Sequence, residues 1–267
     1  ASFREPRTVV EAIAVVQAEA RSRAPPVELD GGACELDRVT CCTIDGDNSC
    51  DFPGMNLNES TMVYPGGETT CIFGDPFAFQ VVPGAETDKL IFMLQGGGAC
   101  WNKESTDLHM CNARAWPLPE VGAFDRRHED NPFRTWTYIT VPYCSGDVHG
   151  GNVTRPYTSL GRSVTQKGLL NVQATLDWAL AQLAEGQLPP GGFDDVVLMG
   201  CSAGTLGLQI WADRLLAALP FRRAGVVADS YVGVFPPGSQ AVLIPGFGIC
   251  SWLPDTLRAS CEAGTIT

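Results

Sequence analysis

No stretch of the chain approaches 18 consecutive apolar residues, and its richest run, Lys89 to Leu94, is closed by Asp88 and Gln95. A membrane-spanning helix needs about 18 to 20 of them, so no span is expected. Clustered lysine and arginine are missing as well: 18 basic residues stand against 30 acidic ones, a formal net charge of −12. Phosphate-backbone binding needs a basic face, and its absence excludes nucleic acid as a partner. Histidine is scarce, with only His109, His128 and His149 among 267 residues, and the cysteines form no pair of CxxC knuckles. A zinc site therefore has little to build on, and no metal or organic cofactor is expected. Internal repeats and low-complexity tracts are absent. The chain opens Ala1-Ser2-Phe3-Arg4 without a basic-then-apolar leader, as expected of a mature protein whose signal peptide has been removed.

What is present points to an oxidising compartment. Eleven cysteines (Cys34, Cys41, Cys42, Cys50, Cys71, Cys100, Cys111, Cys144, Cys201, Cys250 and Cys261) are far too many for an ordinary cytosolic enzyme, and disulfides are the natural reading. The sequons at Asn58 and Asn152 agree with secretion. A hydrophobic fraction of 45% with 18% charged residues suits one globular domain over residues 1–267.

Val9, Ile13, Val16 and Ala20 recur at helical spacing between Glu5 and Arg23, and Pro25-Pro26 ends that helix. Residues 31 to 75, rich in Gly, Cys, Asn and Asp, read as a disulfide-stapled, loop-dominated region. Beyond them, strands are expected at Lys89 to Leu94, Trp136 to Val141, Asp195 to Met199 and Gly225 to Ala228, with a helix over about Ser163 to Ala184. That alternation predicts an α/β fold with a mostly parallel sheet flanked by helices. The stretch from Phe235 to Thr267 reads as irregular.

Two motifs carry chemistry. Gly200-Cys201-Ser202-Ala203-Gly204 follows the apolar run Val196 to Met199 and precedes the helix-like Leu206 to Leu219. In this strand, turn, helix setting the flanking glycines allow a strained close turn that lifts the serine hydroxyl above the sheet, making Ser202 the candidate nucleophile; the alternative is a turn that serves packing only. Cys201 lacks glycines two residues to either side and reads as a small buried thiol. Gln95-Gly96-Gly97-Gly98-Ala99-Cys100-Trp101 follows directly on the Lys89 to Leu94 strand, where a hydrolase places backbone N–H donors for a tetrahedral oxyanion, the Ala203 N–H completing the set. A phosphate cradle fits less well, since neither GxGxxG with a downstream acid nor GxxxxGK[ST] is present.

These residues, LQGGGACWN (Leu94 to Asn102), YCSGDVHGG (Tyr143 to Gly151), GCSAGTLG (Gly200 to Gly207) and Asp229-Ser230, resemble in order and rough spacing the pectin acetylesterase and Notum family of carboxylesterases. The resemblance covers about Phe77 to Pro236. It implies an α/β-hydrolase fold and a secreted enzyme that removes an acyl group from an ester oxygen, acetyl from a polysaccharide or fatty acyl from a protein. By position it makes Ser202 the nucleophile, with Gly97, Gly98 and Ala203 lining the oxyanion hole. Trp101, His149 and Asp229 become substrate-pocket candidates. The pattern departs at Thr205, where the family usually has glycine, which leaves the acyl-pocket shape open.

In this fold the acid and then the histidine follow the serine. All three histidines here precede Ser202. His149 is expected to shape the substrate mouth rather than act as base, and Asp147 and His128 are expected to be solvated loop residues. The resemblance places acid and base beyond the equivalent of Thr267. Two explanations fit: a truncated, inactive relative, or, as favoured here, a second polypeptide from the same precursor that supplies them, held by burial, with Cys250 or Cys261 available for a disulfide link. The rival reading is a non-catalytic, hydrolase-fold binding or structural subunit of an extracellular assembly.

Overall fold

The computed structural model of the chain describes residues 39–265 other than 46, 232 and 234–237, all within one compact unit, Glu35–Thr267. The helix expected over Glu5 to Arg23 lies outside the described residues. Nine strands are described: β1 (Val39–Thr43), β2 (Ser60–Tyr64), β3 (Phe79–Val82), β4 (Glu86–Leu94), β5 (Trp136–Val141), β6 (Val153–Ser159), β7 (Arg162–Gln166), β8 (Phe193–Cys201) and β9 (Phe221–Asp229). Seven form one sheet in the order β1-β2-β3-β5-β4-β8-β9, while β6 and β7 make a separate hairpin. The β1–β2, β4–β5, β4–β8 and β8–β9 pairs are parallel and the pairs of β3 antiparallel, so the mostly parallel sheet is as expected.

The centre of the sheet follows from composition. Leu90, Ile91, Phe92, Met93 and Leu94 of β4 are all buried, the continuous apolar run that a parallel strand covered on both faces requires. One face packs on α2 (Gly168–Ala184) and α3 (Ala203–Ala218) through Val172, Leu176, Trp211 and Leu215; Ile91, Met93 and Tyr138 group in a separate cluster. Burying side chains of this size contributes about 1.5 to 3 kcal/mol each relative to exposure. β9 forms the edge of the described sheet, with Val226 and Val227 exposed.

Three local readings are corrected. Residues 31 to 75 are not only stapled loop. The Cys42–Cys50 and Cys71–Cys144 disulfides are there, but β1 and β2 join the main sheet and bury Met62 and Val63, short strands hidden among turn residues. The helix expected from Ser163 begins only at Gly168, because Arg162–Gln166 is β7, turned back on β6 through Leu160 and Gly161, both at positive φ. The C-terminal stretch holds two helices, α4 (Ser239–Gly246) and α5 (Asp255–Glu262). At eight residues each they are too short for a clear sequence period, and the Cys250–Cys261 disulfide joins α5 to the turn before it. That bond also withdraws both cysteines as a covalent link to a second polypeptide.

In the parallel pairs Leu94 lies opposite both Val141 and Gly200, and Cys201 opposite Asp229. The loops after β4, β5, β8 and β9 thus emerge side by side at the carboxyl edge of the sheet. An α/β sheet places its ligand site there.

Candidate active site

β8 ends at Cys201 and α3 starts at Ala203, so one residue makes the whole reversal from strand to helix. Ser202 does so at φ 52 and ψ −115. A non-glycine residue there costs about 1 to 3 kcal/mol. The strain is held from several sides: Ser202 N–H donates to Asp229 O at 3.0 Å, and the Thr205 hydroxyl lies 2.8 Å from both Gly200 O and Asp229 O. A Cβ at Gly204 would overlap the Leu94 carbonyl oxygen, which is why the helix can begin this close to β4 only with glycine. Ser202 itself is exposed between half-buried Cys201 and buried Ala203. Its hydroxyl has no hydrogen-bond partner among the described residues.

The loop after β4 lies directly against this turn. A Cβ at Gly96 would stand 3.1 Å from Ser202 Cβ and 2.5 Å from Cys201 O, so only glycine passes. On its outer side the loop is braced by the segment Met110–Asn112. Ala99 N–H donates to Met110 O at 3.1 Å, and Asn112 N–H donates to Gly97 O at 2.8 Å. Cys100–Cys111 closes the same brace. Gly98 sits at φ +75, and a Cβ there would overlap Met110 O. After this bracing the Gly97 and Gly98 N–H groups donate to no protein acceptor among the described residues. The Ala203 N–H, at the first position of α3 where helix amides lack intrahelical partners, is equally uncommitted. An exposed hydroxyl beside uncommitted amides is an arrangement suited to holding an oxyanion.

The other candidates are placed as follows. Trp101 is exposed, its N–H held by Ser105 Oγ at 3.0 Å where Asn102 caps the short helix α1 (Lys103–Asp107). Asp229 is exposed, and the bonds to the elbow come from its main-chain carbonyl. Asn58 and Asn152 are both exposed. His128 is exposed, as expected, and the fold puts it in a turn before β5. Cys201 is half-buried rather than buried, packed against the cluster of Met93, Tyr138 and Met199. Thr205 is buried, with its hydroxyl tied to the elbow.

Two readings of the loop after β5 are overturned. Asp147 is fully buried rather than solvated. Its carboxylate accepts from Ser145 Oγ at 2.6 Å and from Gly168 N–H at 2.8 Å, yet burial wins over these bonds and raises its pKa from 3.8 to about 6. His149 does not face a substrate mouth. It is 1% exposed, its ring packs 4.8 Å from that of Tyr143, and its Nε2 lies 2.8 Å from Gln95 O. A carbonyl only accepts, so Nε2 carries a proton and cannot take one from Ser202. Burial lowers the pKa of the ring from 6.5 to about 4, which makes it a weak base as well. Sequence reasoning missed Gln95, whose side chain accepts from Tyr143 N–H at 2.8 Å while its carbonyl meets His149. The only signal was its position between an apolar strand and three glycines.

The four disulfides among the described residues (Cys42–Cys50, Cys71–Cys144, Cys100–Cys111 and Cys250–Cys261) suit an oxidising compartment, and no described helix is long and apolar enough to cross a membrane. Residues 60–242 match the family model described as pectinacetylesterase. A palmitoleoyl-protein carboxylesterase, Notum, of Drosophila melanogaster is 28% identical over 180 residues, 64% of this chain and 25% of that protein. Pectin acetylesterase 7 of Arabidopsis thaliana is 28% identical over 169 residues, 59% of this chain and 40% of that protein. The structure of the Wnt deacylase Notum from Drosophila superposes with a TM-score of 0.56 at 18% identity, covering 76% of this chain and 63% of that one. At that identity the likeness speaks to the fold, an α/β-hydrolase. The chain spans a quarter to two fifths of the length of these two curated relatives. Because the family model is matched over more than half of its residues, this chain belongs to the pectinacetylesterase family.

Proposed function

We propose that this chain carries the nucleophile and oxyanion hole of a secreted serine carboxylesterase that removes an acyl group from a polysaccharide or an acylated protein. The observation that carries the reading is the exposed Ser202, at φ 52, beside the uncommitted amides of Gly97, Gly98 and Ala203. Ser202 Oγ attacks the acyl carbon, and the negative charge that collects on the former carbonyl oxygen is met by those amides. The ester C–O bond breaks, the alcohol leaves with a proton, and water then adds to the acyl-enzyme and releases the acid. Accepting and returning that proton needs a general base. None of the described histidines is bonded to Ser202, and in this reading a segment outside the described residues supplies the base and the acid that orients it. Trp101 and the Asp229 side chain line the approach. Asn58 and Asn152, both exposed, carry the glycans of a secreted protein.

A fluorophosphonate probe tests this. The expected result is a single modified peptide containing Ser202 and no modification of Ser202→Ala. A folded, complete wild-type protein, with the base-bearing segment present, that leaves Ser202 unmodified would favour the non-catalytic subunit instead. Hydrolysis of p-nitrophenyl esters of increasing acyl length then separates acetyl from long-chain specificity.

A further inference from the structure

We propose that His149 is a positioning residue: the hydrogen bond from its Nε2–H to the Gln95 carbonyl sets the direction of the oxyanion-loop amides. The proposal rests on the esterase reading for its kinetic consequence. Its structural content can be tested separately.

A glycine run has no Cβ to restrict it, so the peptide planes of Gly96 to Gly98 must be held by outside contacts. In a trans peptide the C=O and the following N–H point in opposite directions. Whatever grips one carbonyl therefore aims the next amide. Asn112 N–H grips Gly97 O at 2.8 Å and so turns the Gly98 N–H away from the bracing segment. At the other end His149 Nε2–H grips Gln95 O at 2.8 Å and fixes the plane that carries Gly96 N–H. The Gly97 amide belongs to the plane between these two. With both neighbours gripped it has one orientation, and with one released it can rotate.

His149 is built as a rigid grip. Its carbonyl accepts from Trp211 Nε1 at 2.8 Å, its ring packs on Tyr143, and Val148 N–H is held by the Tyr143 hydroxyl at 2.9 Å. Val148 and His149 stand at φ 52 and 62, consecutive left-handed residues that nothing but surrounding contacts would keep. A histidine needed only to fill space would not require this setting. The strained backbone presents one ring N–H to one carbonyl.

His149→Phe removes the donor and keeps a ring; His149→Gln keeps an N–H at a similar reach. Both are made in the full protein, with the segment that supplies the base present. His149→Phe is expected to lower kcat for p-nitrophenyl acetate about 10- to 100-fold, somewhat less than outright loss of an oxyanion donor. KM should stay within about twofold and phenylboronic acid should weaken in proportion to kcat, because the loss falls on the transition state. His149→Gln is expected to recover most of the rate. Independently of activity, the amide NMR signals of Gly96, Gly97 and Gly98 should shift and broaden in His149→Phe and return in His149→Gln. If His149→Phe fails to fold, His149→Met supplies the same comparison. Unchanged glycine signals in the donor-less variant would overturn the proposal, as would a His149→Gln variant no better than His149→Phe. A wild-type protein that includes the base-bearing segment and is inert to every ester and to fluorophosphonate, yet shows the glycine shifts, would sink the esterase reading and leave this one standing.

Discussion

The loops after β4 and β5 leave neighbouring parallel strands at the same level, Leu94 beside Val141, and end in opposite conditions. Residues 95–99 stay partly open, and the amide hydrogens of Gly97 and Gly98 are committed to nothing described. Residues 142–151 are buried throughout. A buried loop must satisfy its own polar groups, and this one does so thoroughly. Cys144 O accepts from Ile72 N–H, Gly146 O from Cys100 N–H, Gly151 O from Leu169 N–H, and Cys144 is bonded to Cys71. The lesson is one of division. A loop can leave donors uncommitted in a fixed direction only when a saturated, rigid neighbour holds it, and residues 142–151 provide that support through Tyr143 N–H and His149.

The comparison breaks most severely where the open loop is denied its shape. Gly98→Ala puts a side chain at φ +75 and drives a Cβ into the Met110 carbonyl, so the loop must leave its brace. Esterase turnover should fall about 10²- to 10³-fold, the effect of losing an oxyanion donor, with KM much less affected. Gly67→Ala is the control. It has the same backbone sign, φ +63, but nothing within 4 Å of the added carbon. It should cost about 1 to 2 kcal/mol in denaturant unfolding and leave kcat unchanged. Equal rates in the two variants would mean that the loop after β4 does not need its glycine geometry.

How much of this could be read from the residues divides along the same line. The sheet was legible because Leu90 to Leu94 and Val196 to Met199 are unbroken apolar runs of strand length. The elbow was legible because the glycines around Ser202 have no other good explanation in that setting. The loop after β5 was misread, since Asp147 and His149 look solvated by type. Their burial depends on partners, Gly168 N–H and Gln95 O, that lie 21 and 54 positions away. The role of the Thr205 hydroxyl was not legible for the same reason: its partner Asp229 O arrives from a different strand, 24 residues on. Short elements such as β1, β2, α4 and α5 left too few periods to count.

The saturated loop hides two opposed titrations, and removing one exposes the other. Asp147 has a raised pKa, about 6 against 3.8, so its contribution to stability is present below pH 3.8 and lost as pH rises through 6. His149 has a lowered pKa, about 4 against 6.5, so its contribution is present above pH 6.5 and lost as pH falls through 4. Each is worth about 2 to 3 kcal/mol between pH 7 and pH 4, with opposite signs, and in the wild type they nearly cancel. The charged and titratable groups nearby, Tyr143 and Arg155, stay in one state across that range. Asp147→Asn leaves the His149 slope alone. Relative to wild type the variant should lose about 2 kcal/mol more at pH 4 than at pH 7 in urea unfolding. A difference independent of pH would mean that the Asp147 carboxyl titrates as an ordinary exposed acid.

A finer cut separates the two forces acting on Asp147. Its pKa is the outcome of burial, which favours the neutral acid, against donors that favour the carboxylate, Ser145 Oγ at 2.6 Å first among them. Ser145→Ala removes that donor without opening the site, since Ser145 is itself buried. At pH 7, with the carboxylate ionised, one hydrogen bond to a charged group disappears, and stability should drop by about 1.5 to 3 kcal/mol. At pH 4 the acid is largely protonated and needs the hydroxyl less, so the loss should shrink to about 1 kcal/mol or less. The sign is thus opposite to that of Asp147→Asn: this variant is hurt more at neutral pH. Should Ser145→Ala be equally costly at both values, the hydroxyl supports the loop by packing alone, and the loop after β5 is held by fewer polar contacts than its geometry suggests.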